Sequence, residues 1–106
     1  MSDSILKKLY AVLLARKNAS GEKSYVASLY QKGTVRIVQK VHEEAVETGI
    51  EAFNNDPEKL KHESADLIFH LMVLWAHMGV TPEDVMAVLE KRFGTGGHEE
   101  KASRSK

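Results

Sequence analysis

The chain has 106 residues, 15 basic and 15 acidic side chains, a formal net charge of zero and no cysteine. That length fits one domain with a modest core, which assembly with a second copy would enlarge. The charge balance excludes a nucleic-acid binder that relies on a basic surface, and the missing cysteines exclude disulfides, thiolate chemistry and Cys-ligated zinc.

The start, Met1-Ser2-Asp3-Ser4-Ile5, lacks the basic opening and apolar run of a signal peptide. A first helix is expected from about Asp3 to Arg16, then a polar, Gly-containing loop over Asn18 to Lys23. Ser24 caps a short helix to Tyr30, and Gly33 separates it from a long helix of about Thr34 to Phe53. Asn54-Asn55-Asp56 is a tight connection. The two prolines, Pro57 and Pro82, each follow a capping residue and precede acidic side chains, which marks two helix starts. The first of these helices runs to about Met78, where Gly79 ends it, and the second covers Pro82 to Phe93. Gly94 to Gly97 then reads as a flexible link to a charged end, so that residues 94–106 form a flexible basic tail on a single domain. No strand pattern and no fixed-period repeat occurs, so the fold class is all-α. The most apolar stretch, Leu67 to Met78, is too short to span a bilayer and carries His70 and His77. A soluble cytoplasmic protein with no membrane partner is expected.

On a helical wheel Lys40, Glu43, Glu44, Glu47 and Glu51 fall within an arc of about 100°. The opposite, wider arc carries Val35, Ile37, Val38, Val41, Ala45, Val46, Ile50 and Phe53, which suggests burial on more than one side. In the following helix Glu63, Asp66, His70 and His77 share a side, yet from Leu67 to Ala76 the helix is apolar nearly all round. Such a helix is central, and Asp66 should sit at the edge of the core, where an uncompensated carboxylate costs several kcal/mol. Residues three apart on a helix lie on one face, so Glu44 points with Glu47, and Glu63 with Asp66. If the two helices pack as an antiparallel hairpin, four carboxylates meet. Like charges about 4 Å apart repel by ~4 kcal/mol at an effective dielectric of about 20. Such a cluster needs cations or protons, and oxygen-only ligands favour Mg²⁺. The bland alternative is a solvated helix face, since glutamate is a good helix former. His42, His62, His77 and His98 show no zinc-ligand spacing and read as structural or surface residues, and His70 more as a core histidine than a ligand.

Glu43-Glu44-x-x-Glu47 and, after fifteen intervening residues, Glu63-x-x-Asp66 resemble the signature of the MazG-like, all-α nucleotide pyrophosphohydrolase superfamily. Ser24-Tyr25-Val26-Ala27-Ser28-Leu29, Lys32-Gly33, Arg36-Ile37, Lys40-Val41, Ala65 to Leu71 and the Arg92-to-Arg104 end are similar to its phosphoribosyl-ATP pyrophosphatase branch. His42 departs from that pattern, where glycine is frequent before the first Glu. The resemblance implies hydrolysis of phosphoribosyl-ATP to phosphoribosyl-AMP and pyrophosphate, the second step of histidine biosynthesis. It also implies a helical bundle completed by dimerisation, with Mg²⁺ held by Glu44, Glu47, Glu63 and Asp66. Some relatives carry a fused cyclohydrolase domain; with no room for one and no cysteines for its zinc, this chain reads as the stand-alone form.

Splitting a phosphoanhydride requires charge neutralisation and a positioned water. A carboxylate left over from coordination, Glu43 or Glu47, is the candidate base. Lys40 is placed to touch a phosphate or to pair with Glu43 or Glu44. Lys23, Ser24, Tyr25, Lys32 and Arg36, with Lys101 and Arg104 from the tail, are candidates for holding the substrate, the tail acting as a lid. Two other readings share these features: a housecleaning hydrolase of (deoxy)nucleoside triphosphates, and a non-catalytic helical interaction module.

Overall fold

The computed structural model describes residues 2–93. These described residues form five α-helices and no strand: α1 (Ser2–Ala15), α2 (Tyr25–Lys32), α3 (Thr34–Phe53), α4 (Pro57–Met78) and α5 (Pro82–Phe93). The expected tail, residues 94–106, lies outside the described residues. Two boundaries differ from the sequence reading. Helix α1 gives way at Arg16 to a 3-10 turn that runs on to Asn18, where the loop was expected to start, and α2 continues two residues past Tyr30, because Gly33 and not Tyr30 stops it.

The helix ends are fixed by a side chain or by a glycine at each of the main turns. Ser24 accepts from the Ala27 N–H at 3.1 Å and starts α2. Gly33 joins α2 to α3 at φ 88° and ψ −172°, a backbone region essentially reserved for glycine. Asp56 accepts from the Lys59 N–H at 3.0 Å ahead of Pro57. Gly79 closes α4 in the left-handed region at φ 76°. Thr81 and Asp84 form a reciprocal capping pair at 3.0 and 2.9 Å that starts α5.

The core gathers Leu13 of α1, Val26 and Leu29 of α2, Ile37 of α3, and Met72, Val73 and Ala76 of α4. Each large aliphatic side chain among them contributes about 1.5–3 kcal/mol by leaving water. Two tyrosines tie the layers at their polar ends, where an unpaired hydroxyl would be costly. Tyr10 donates to the Val80 carbonyl and Tyr30 to the Leu13 carbonyl, both at 2.8 Å.

The α3–α4 pairing is the most extensive among the described residues. Thr34 in the first turn of α3 meets His77 in the last turn of α4 at 3.1 Å, and Glu44 midway along α3 meets Glu63 and Asp66 on α4. Along α3 only Ile37 and Glu44 are buried. Val35, Val46 and Phe53, at 73, 62 and 89 % exposure, occupy an arc of about 20° with Ile50 beside it. Most of the broad apolar face expected of this helix is therefore bare in a single chain. Among the described residues, no single helix is long and apolar enough to cross a membrane.

Candidate active site

The α3–α4 contact places one carboxylate oxygen from each of Glu44, Glu63 and Asp66 within 4.8 Å of one another. Glu47, one turn along α3 from Glu44, lies within hydrogen-bonding reach of both Glu44 and Glu63. The burial differs from the sequence expectation. Asp66 is exposed, Glu63 is half-buried, and Glu44 is the buried carboxylate at 7 % exposure. The physical reason is the neighbour on each side. Glu44 lies almost in line with the core residue Ile37, seven positions earlier, whereas Asp66 faces outward beside Ala65.

The electrostatics follow from crowding. Burial first, then the carboxylates of Glu47 and Asp66, push Glu44 above the ordinary carboxylate range, against the opposing pull of Lys40. Burial and the carboxylates of Glu47, Glu44 and Asp66 push Glu63 the same way. Glu44 Oε2 and Glu63 Oε2 are buried and have no hydrogen-bond partner among the described residues. An orphaned buried oxygen is costly, and two of them on carboxylates that converge with Asp66 fit a hard cation with oxygen ligands.

Glu43 does not join this group. It accepts from Lys40 Nζ at 3.1 Å and lies 3.6 Å from Arg36 Nη1, and the Lys40 hydrogen bond holds its carboxyl below the ordinary range. Lys40 also reaches Glu44 at 3.8 Å, and its hydrogen bond to Glu43 raises its own pKa. These residues form a basic rim, Arg36 and Lys40, pinned by Glu43 beside the acidic centre.

The other substrate candidates divide. Tyr25 adjoins the site: its hydroxyl lies 3.0 Å from His70 Nε2, and it is close enough to Lys40 to influence that ammonium. The Ser24 side chain is occupied by capping α2, so it contributes by fixing where Tyr25 stands. Lys23 and Lys32 are exposed, and Lys32 sits about 10 Å along the α2 axis from Tyr25, next to Gly33. Lys101 and Arg104 lie outside the described residues. His70 was expected to be a core histidine, with a hold on a carboxylate or a substrate phosphate as the alternative. The signal was its placement one turn after Asp66, whose carbonyl lies 2.8 Å from His70 Nδ1.

Residues 6–93 match the family model described as phosphoribosyl-ATP pyrophosphohydrolase. A phosphoribosyl-ATP pyrophosphatase of Azospirillum brasilense is 51 % identical over 104 residues, covering 98 % of this chain and 94 % of the relative. The Rhodospirillum rubrum protein of the same name is 50 % identical over 102 residues, covering 96 and 87 %. That of Zymomonas mobilis is 50 % identical over 106 residues, covering 100 and 99 %. With the match running from α1 to the end of α5, the chain belongs to the phosphoribosyl-ATP pyrophosphohydrolase family.

Proposed function

We infer that this chain hydrolyses phosphoribosyl-ATP to phosphoribosyl-AMP and pyrophosphate in the second step of histidine biosynthesis, with Mg²⁺ as its cofactor. Membership of the family and relatives of that name at about half identity support the reaction. The observation that carries the metal is the pair of orphaned buried oxygens on Glu44 and Glu63, converging with Asp66. Glu44, Glu47, Glu63 and Asp66 hold the ion. When bound, it neutralises phosphate charge and polarises the anhydride.

The chain's own residues do the rest. Lys40 and Arg36 grip phosphate oxygens from the rim, and Glu43 keeps both cations aimed there. Glu43 or Glu47 accepts the proton of the attacking water. Tyr25 and Ser24 shape the wall beside Lys40, and Lys23, Lys32, Lys101 and Arg104 supply positive charge to the outer parts of the substrate. The α3–α4 pair is the antiparallel hairpin of a helical bundle. A second copy completes it by covering Val35, Val46, Ile50 and Phe53 in a cytoplasmic homodimer.

The test is growth of a histidine auxotroph lacking this step, with the Asp66→Asn variant alongside, and pyrophosphate release from phosphoribosyl-ATP by the purified protein. Rescue by the wild type and not by Asp66→Asn is expected. Far faster turnover of deoxynucleoside triphosphates than of phosphoribosyl-ATP would refute the assignment, and rescue by Asp66→Asn would remove Asp66 from the metal site.

A further inference from the structure

His70 is a buried histidine with both ring nitrogens engaged. It is 6 % exposed, whereas its partner Tyr25 is 51 % exposed. Nδ1 lies 2.8 Å from the Asp66 carbonyl and Nε2 lies 3.0 Å from the Tyr25 hydroxyl. A carbonyl oxygen only accepts, so Nδ1 carries the proton. In the neutral ring Nε2 then offers a lone pair, and the Tyr25 O–H must donate to it. The ring cannot easily turn away. Phe69 packs against it edge-on at 5.2 Å and the Tyr25 ring at 5.9 Å. The hydrogen of the Tyr25 hydroxyl is spent on His70, so toward solvent this group presents only acceptor lone pairs. Those suit a donor on the substrate, such as a ribose hydroxyl, and disfavour a phosphate oxygen.

We propose that His70 is a positioning residue that turns the Tyr25 hydroxyl into a hydrogen-bond acceptor for a ribose hydroxyl of the substrate. This role rests on the phosphoribosyl-ATP reading. The relay spans the site: Asp66 provides one end, and Tyr25, beside Lys40 on α2, the other. It divides the labour of recognition, with Lys40 and Arg36 taking phosphates and Tyr25 taking sugar.

The experiment compares Tyr25→Phe, His70→Asn, His70→Gln and the Tyr25→Phe/His70→Asn double variant with wild type, each checked for folding by circular dichroism. Tyr25→Phe should raise KM about tenfold, the scale of one hydrogen bond lost to substrate. His70→Asn keeps a donor for the Asp66 carbonyl but cannot reach Tyr25, and should match it. The double variant should be no worse than either single one. His70→Gln offers an acceptor near the Nε2 position and should recover most of the loss. Inhibition by pyrophosphate, which carries no ribose, should stay within about twofold of wild type in all of them, while inhibition by AMP weakens. A normal KM in folded His70→Asn, multiplying effects in the double variant, or pyrophosphate inhibition weakening in parallel would overturn the role alone. No turnover of phosphoribosyl-ATP by wild type would overturn the parent reading and this role together. The ¹⁵N shifts of the His70 ring separate the geometry from both: Nε2 should read as unprotonated and should move in Tyr25→Phe, and a protonated Nε2 in neutral wild type removes the relay.

Discussion

Replacing Glu44 by Gln should stabilise the metal-free protein and destabilise the metal-loaded one. Glu44 is buried, its Oε2 has no partner among the described residues, and its ligand oxygen lies within 4.8 Å of one from Asp66. At that distance two charges repel by ~3.5 kcal/mol at an effective dielectric of about 20, and by ~0.9 kcal/mol in bulk water. Asp66 is exposed, and Lys40 at 3.8 Å already offsets part of the Glu44 charge. A net gain of about 1–2 kcal/mol is therefore expected for Glu44→Gln above neutral pH in EDTA, raising Tm by about 5–10 °C for a domain of this size. Added Mg²⁺ reverses the order. A ligand at a hundredfold its Kd stabilises the wild type by about 2.7 kcal/mol, and the amide forfeits most of that. Thermal melts of both proteins with EDTA and with saturating Mg²⁺ give the four values needed. A Glu44→Gln melting point below that of wild type in EDTA refutes the claim that Glu44 is held in unfavourable contact with other carboxylates.

The same geometry has three further outcomes. Glu44 and Glu63 both hold protons more tightly in the folded state than the unfolded chain does. Metal-free stability should therefore fall as pH rises from the ordinary carboxylate range through these elevated values and then level off, and saturating Mg²⁺ should flatten that slope in urea titrations. Ser24→Ala removes the cap of α2 and should cost about 1 kcal/mol, or about 4–8 °C in Tm, with Tyr25 disordered and KM raised. Val46→Glu, on the bare stripe of α3, should leave the helical circular dichroism intact and shift the protein to a smaller species by sedimentation; an unchanged mass argues against the stripe as a contact between copies.

Much of the fold was legible because its punctuation is local. Ser24, Gly33, Asp56-Pro57, Gly79 and Thr81-Pro82 act through their own backbone or a neighbour three residues away; α2, α3, α4 and α5 begin, and α2 and α4 end, where those signals lie. The site was legible for the same reason, since i, i+3 spacing alone puts Glu44 with Glu47 and Glu63 with Asp66. Burial was not local, and there the sequence misled. Apolar neighbours in the chain pointed to Asp66 at the edge of the core, but burial depends on which face meets the partner helix, and the buried acid there is Glu44. Glu43 stood apart from the ligands as a candidate base, and its pairing with Lys40 was in reach of the spacing, but the second cation, Arg36, was not. The Tyr25–His70 contact joins residues 45 positions apart and left no trace in spacing.

The turn between α3 and α4 restricts how this chain can change length. Only Asn54, Asn55 and Asp56 separate the helices, Asn55 takes a left-handed conformation at φ 53°, and Asp56 pins the first turn of α4. One residue inserted within α4 ahead of Glu63 would swing Glu63 and Asp66 round by about 100° relative to everything before it. A deletion would swing them as far the other way. The stretch of α4 from Pro57 to Asp66 therefore behaves as a fixed ruler, and insertions or deletions compatible with the chemistry must fall outside it.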